Sequence, residues 1–140
     1  TSASNLKGYW NFNEGTGTTL TDQTSNGNDG TINGATWITD VPSPDNYSLS
    51  FDGADDYVQI SSEDYFIDLN EDFTIELWIK SNSSSQNQGI IENGYSFVPN
   101  GYALRKYPDG NIHFHSNLNS LSLNSSNSIS PVKTLFIEFN

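Results

Sequence analysis

The chain has no cysteine, which excludes disulfides and thiolate metal sites. Cations are scarce: Lys and Arg number 5 against 17 Asp and Glu in 140 residues, a formal net charge of −12. A surface this acidic repels a phosphate backbone and an anionic lipid surface, so nucleic acid is not an expected partner. The same charge suits divalent cations and tolerates neutral ligands such as glycans. There is no apolar run long enough for a helical membrane span. The opening Thr1-Ser2-Ala3-Ser4-Asn5 is polar and carries no signal-peptide core. That leaves either a cytosolic chain or one whose signal was removed before residue 1, and a composition rich in Asn, Ser, Thr and Gly and poor in Lys leans towards a secreted or cell-surface bacterial protein. Nothing sustains a helical period.

What is present is a succession of short alternating runs punctuated by Gly, Asn, Asp and Ser. The alternation predicts strands near 8–13, 31–38, 47–51, 57–61, 73–81, 89–93, 102–107, 111–116 and 134–139. The clearest is Phe73–Lys80, with Phe73, Ile75, Leu77 and Ile79 on one face and Thr74, Glu76, Trp78 and Lys80 on the other. Tyr107-Pro108-Asp109-Gly110-Asn111 is a strong turn, because Pro presets φ and Gly accepts positive φ; it predicts a hairpin over 102–116. Aromatics, at 13 %, are enough for a core. Many short antiparallel strands over this length predict one all-β domain, a two-sheet jelly-roll sandwich. The Ser/Asn/Gln stretch 81–88 reads as a loop, and 116–130 as a Ser/Asn-rich segment anchored by scattered apolar residues.

One stretch raises an electrostatic question. Asp52-Gly53-Ala54-Asp55-Asp56 crowds three carboxylates into five residues between two alternating runs. Crowded Asp repel one another unless something positive sits among them, and the chain has little Lys or Arg to offer.

Several motifs, taken in order, resemble a known family. They are Gly8-Tyr-Trp-Asn-Phe-Asn-Glu-Gly-Thr-Gly17, Asp22-Gln-Thr-Ser-Asn-Gly-Asn-Asp-Gly30, Ala35-Thr-Trp37, Leu49-Ser-Phe-Asp-Gly-Ala-Asp-Asp-Tyr-Val58 and Phe73-Thr-Ile-Glu-Leu-Trp-Ile79. Their order and spacing over roughly residues 8–116 are similar to the laminin-G-like, concanavalin A-like jelly-roll family. The resemblance implies two curved antiparallel sheets, a structural calcium ion and a binding rather than catalytic role. It also implies one domain over residues 1–140 that lacks the family's closing strands. The segment 131–140 carries neither a Trp-x-His strand nor a Tyr-Val-Asn-Gly hairpin. An edge left open in this way invites a partner chain to cover it.

The resemblance carries over Asp22 and Asn28 as calcium ligands, with Asp55 and Asp56 from the later turn. Calcium takes six to eight oxygen ligands, and these side chains supply them. The competing explanation is that Asp and Asn are good turn residues that bond their own backbone. For a glycan or protein ligand, Tyr95, Tyr102 and Arg105 are the candidate contacts, the tyrosines as aromatic platforms and the guanidinium as a donor. The aromatic side chains could equally pack in the core. Trp10, Trp37 and Trp78 read as core or inter-sheet residues, with Trp78 on the outward face of its strand.

Catalysis lacks its signature. Jelly-roll glucanases carry Glu-x-Asp-x-x-Glu on one strand, which sets carboxylates at the spacing retaining hydrolysis needs. Here Glu71 and Glu76 have Phe73 between them and fall on opposite strand faces. Glu14 reads as a solvated strand-end residue. His113-Phe-His115 places two imidazoles on one strand face, a zinc or copper pair without an evident third ligand, and reads as a polar sheet face. Neither His stands in a nucleophile motif, and Gly15-Thr-Gly17 lacks the lysine of a phosphate loop. The sequence thus points to a non-catalytic extracellular recognition or adhesion module. The alternative is a structural or accessory carbohydrate-binding module of a larger polysaccharide-degrading enzyme.

Overall fold

In the computed structural model, every regular element among the described residues is a strand. The structure describes residues 6–39, 47–61, 67–81, 86–94, 101–116, 123–124 and 133–139. The chain forms two compact units, Thr1–Phe66 and Ile67–Asn140.

The first unit holds β1 (Thr19–Leu20), β2 (Gly30–Asn33), β3 (Thr36–Ile38), β4 (Ser48–Ser50) and β5 (Tyr57–Ile60). They make two antiparallel sheets, β1-β2-β5 and β3-β4. The single strand expected over 31–38 is broken at Gly34, whose φ of 79° lies in the left-handed region that a strand cannot contain. The chain therefore changes sheet between β2 and β3. It changes back between β4 and β5, through the acidic turn. The runs on either side of Asp52–Asp56 thus pair with β3 and β2 and not with each other. The strand expected over 8–13 is reduced to one bridge, Trp10 to Asp22.

Apolar positions of alternating strands supply the interior of this unit: Leu20 and Ile32 are buried. Trp37 stands edge-on to Phe12 and Tyr47, at ring-centroid separations of 6.4 and 6.5 Å, and its indole N–H donates to the Gly17 carbonyl at 2.9 Å. Trp37 is half-buried, with its ring packed on aromatic neighbours and its polar handle satisfied.

The second unit holds β6 (Phe73–Ile79), β7 (Gln88–Asn93), β8 (Tyr102–Lys106), β9 (Ile112–Ser116), β10 (Leu123–Asn124) and β11 (Lys133–Phe139). β10-β9-β8-β7 form one antiparallel sheet, and β11 pairs with β6 along its whole length. The predicted hairpin is present. Gly110, at φ 84°, donates its N–H to the Tyr107 carbonyl at 3.0 Å, and the Tyr107 N–H donates to the Asn111 carbonyl at 2.9 Å. Asp109 fastens the turn by accepting from the backbone N–H of Asn111 at 2.9 Å and from its side-chain amide at 2.8 Å. The Asn111 contacts hold the Asp109 carboxyl below its ordinary range, because they stabilise the charged form.

Alternation along β8 and β9 sorts their side chains between two faces. Tyr102, Leu104, Ile112 and Phe114 are buried, with Leu104 at 0 % exposure. Phe114 stacks on Tyr102 at 6.2 Å and tilts against Phe73 at 5.6 Å. The opposite face carries Arg105, His113 and His115. Ile75 of β6 is buried, whereas Trp78 is 62 % exposed, as its place on the outward face of the alternation requires. Among the described residues, no helix is long and apolar enough to cross a membrane.

Candidate functional site

Asp22 organises the first acidic loop. It is only 6 % exposed, and both carboxylate oxygens are engaged by protein donors. Oδ1 accepts from the N–H groups of Tyr9 at 3.0 Å and Thr24 at 2.9 Å. Oδ2 accepts from the Thr24 hydroxyl at 2.8 Å and the Asn28 N–H at 2.9 Å. Burial pushes the Asp22 carboxyl up, but these four bonds outweigh it and bring it down from 3.8 to about 2. The Asp22 N–H donates in turn to Asp29 Oδ1 at 2.8 Å.

Asn28 works in the same network. Its carbonyl accepts from the Trp10 indole at 3.0 Å, and its side-chain amide donates to the Lys7 carbonyl at 2.7 Å. Asn26 donates to the carbonyls of Leu6 and Lys7 at 2.8 and 3.1 Å. The loop thus ties the segment 6–10 onto 22–28. In this arrangement the Asp22 lone pairs serve backbone and hydroxyl donors, the turn role of Asp.

The second acidic loop is different. Asp52, Asp55 and Asp56 each present a carboxylate oxygen within 4.8 Å of the others, and Asp22 is not among them. Asp52 Oδ1 accepts the Ala54 N–H at 2.8 Å, and Asp56 Oδ2 accepts the Asp52 N–H at 2.9 Å. These two bonds wind the turn and hold the carboxylates together. Gly34 makes room for the group, since a β-carbon there would overlap Asp56 Oδ1. The structure therefore brings Asp55 and Asp56 together with Asp52, which the sequence marked only as the start of the turn. The donor set of clustered, partly exposed carboxylate oxygens fits a hard cation of the calcium type.

A third constellation lies on the polar face of the β7–β8–β9 sheet. Arg105 stands opposite Gly89 on one side and His113 on the other. Its Nε donates to Glu92 Oε1 at 2.7 Å, and the Glu92 carboxylate lies across the space that a side chain at Gly89 would fill. His113 and His115 are stacked 8° from parallel with centroids 5.8 Å apart. The Tyr107 ring lies 4.2 Å from the His113 ring, and its hydroxyl is 3.2 Å from His115 Nε2. Burial lowers the affinity of His115 for a proton, and the neighbouring His113 and Arg105 lower it further.

Of the predicted ligand contacts, Arg105 is on this face. Tyr102 is not: it is 2 % exposed, stacked on Phe114, with burial pushing its phenol up to about 12. Tyr102 is a core residue, because its strand face is the one that carries Leu104. Tyr95 lies outside the described residues. Sequence reasoning missed Tyr107 as a partner of the two imidazoles; its place at the mouth of the Pro-Asp-Gly turn was the available signal. It also took Glu14 as solvated. Glu14 accepts from the Thr21 N–H at 2.9 Å, and its Oε2 is shielded from solvent without a hydrogen-bond partner.

No curated protein and no solved structure matches the chain. A laminin-G family model, described as the concanavalin A-like lectin/glucanases superfamily, matches residues 52–134. The match begins at the acidic turn and runs through the β6 strand, the 102–116 hairpin and into β11. The motifs at 8–37 precede it. It covers more than half of the sequence and agrees with the antiparallel strands of the described residues: the chain belongs to the concanavalin A-like lectin/glucanases superfamily.

Proposed function

We propose that the chain is a non-catalytic, extracellular recognition module that binds a glycan and is stabilised by calcium at Asp52, Asp55 and Asp56. The observation that carries the binding role is the polar face of β7–β9. A strip of Glu92, Arg105, Tyr107 and His115 is backed by the buried Leu104 and Phe114 of the same strands. Hydrogen-bonding groups on a rigid apolar backing suit a hydroxyl-rich ligand. The clustered carboxylates support the calcium role, since an ion there would relieve their mutual repulsion. The absent Glu-x-Asp-x-x-Glu spacing supports a role without hydrolysis.

A glycan array probed with calcium and again with chelator tests the proposal. Selective binding to neutral glycans, reduced by Arg105→Ala, is the expected result. An array blank under both conditions, with a folded protein, would rule out glycan recognition. Release of reducing sugar from a β-glucan by the purified chain would overturn the non-catalytic assignment.

A further inference from the structure

Beside Tyr107 and His115 of that strip stands His113, whose solvent-shielded, unpartnered Nε2 glycan recognition does not by itself explain. We propose that the two imidazoles and the Tyr107 hydroxyl bind a divalent transition-metal ion of the zinc or copper type on the outer face of β9. Residues two apart on a strand project from the same face roughly 7 Å apart, close enough for two imidazoles to lean onto one ion by side-chain rotation alone. The rings now lie 8° from parallel, so sharing an ion requires rotation about χ1 and χ2 to turn their in-plane lone pairs towards one another. The third donor that the sequence left unidentified comes from the turn. The Tyr107 hydroxyl is 3.2 Å from His115 Nε2, about the separation of two ligands sharing one tetrahedral ion with bonds near 2 Å.

A second observation points the same way. His113 Nε2 is shielded from solvent and has no hydrogen-bond partner. A buried polar atom left unsatisfied costs about 1–3 kcal/mol, and such atoms in native structures call for an explanation such as a bound ion. A metal on this nitrogen would satisfy it.

The surrounding charge is compatible. Arg105 stands directly across from His113, but its guanidinium is paired with Glu92 at 2.7 Å, and the chain as a whole carries −12. The site differs in chemistry from the acidic turn. The imidazole pair suits zinc, copper or nickel, whereas clustered carboxylates suit calcium or magnesium.

The test is a calorimetric titration of the full chain, free of any polyhistidine tag, with zinc and with copper(II) in saturating calcium. One site is expected. His113→Gln and His115→Gln should each weaken zinc binding by about tenfold or more, Tyr107→Phe by less, and Asp55→Asn not at all. In the unmodified protein, zinc should shift the imidazole nitrogen resonances of both histidines, a readout that stands even if a variant fails to fold. Absence of zinc and copper binding, unmoved imidazole resonances, or zinc binding abolished by Asp55→Asn but not by the histidine variants would overturn the proposal.

Discussion

Gly34 and Asp56 meet where the chain passes between the two sheets of its first unit, so closely that a β-carbon on Gly34 would overlap Asp56 Oδ1. Gly34 also holds φ at 79°, which L side chains rarely adopt. Gly34→Ala combines both penalties and should destabilise the fold by about 1–3 kcal/mol in urea unfolding. It should also weaken calcium binding by displacing one of the clustered carboxylates. Loss of stability with unchanged calcium affinity would show that the glycine serves the corner alone.

Calcium should raise the midpoint of thermal unfolding by about 3 °C or more over the chelated protein, because an ion that binds only the native state stabilises it by mass action. Asp55→Asn should remove most of that increment while leaving the chelated protein close to its original midpoint, since Asp55 makes no hydrogen bond that shapes the turn. Identical melts with calcium and with chelator would count against the ion.

Asp22→Ala leaves the N–H groups of Tyr9, Thr24 and Asn28 without their acceptor and should cost about 3 kcal/mol or more. The native carboxyl titrates at about 2 instead of 3.8. A group depressed on folding contributes stability above its unfolded value and loses it as pH falls through its folded value. The Asp22 contribution is therefore full above about pH 4 and is lost as the pH falls towards 2. Carboxyl carbon shifts followed through acid titration should resolve Asp22 as a late-protonating group.

His115 adds a second acid-side loss, nearer neutrality. Its proton affinity is depressed on folding, so protonation favours the unfolded chain, and stability should fall as the pH drops below the ordinary histidine value of 6.5. Urea midpoints at pH 8 and pH 5 should differ in the unmodified protein and converge in His115→Gln. Equal slopes in both proteins would place the effect elsewhere.

Leu104 is fully buried between strands on either side, and Leu104→Ala should cost about 2–5 kcal/mol through the cavity it leaves. Trp78→Ala, at an exposed position, should cost much less. The pair calibrates the others by equilibrium unfolding.

Alternation made the strands legible. β6, β8 and β9 lie within a residue or two of their expected bounds, because a period of two is a local property of the chain. The Pro108-Asp109-Gly110 turn was legible for the same reason. What the alternation did not carry was the choice of partner. The runs flanking Asp52–Asp56 read as neighbours, yet pairing is set by the whole sheet and sends β4 to β3 and β5 to β2. Alternation also defines two faces without saying which is interior, so Tyr102 read as a surface platform until Leu104 and Phe114 placed it in the core. Asp22 and the Asp52–Asp56 group are chemically alike in sequence. Only the direction of nearby N–H groups separates a carboxylate already saturated by the backbone from three that face one another.

The double crossing at Gly34 and Asp52–Asp56 bears on the order in which the first unit assembles. β3 and β4 are separated in the chain by residues 39–47 alone, whereas β2 and β5 must bring together strands separated by residues 34–56. Closure entropy grows with the length of chain left free. Once β3 and β4 have zipped, only 34–35 and 51–56 remain open between the paired strands and those still to pair. The distant ladder then extends a local one through a bend and need not search for its register across the full separation. The corner converts a high-contact-order pairing into a sequential one, so substitutions in β3 and β4 should slow folding, while those in β1 should act mainly on the rate of unfolding.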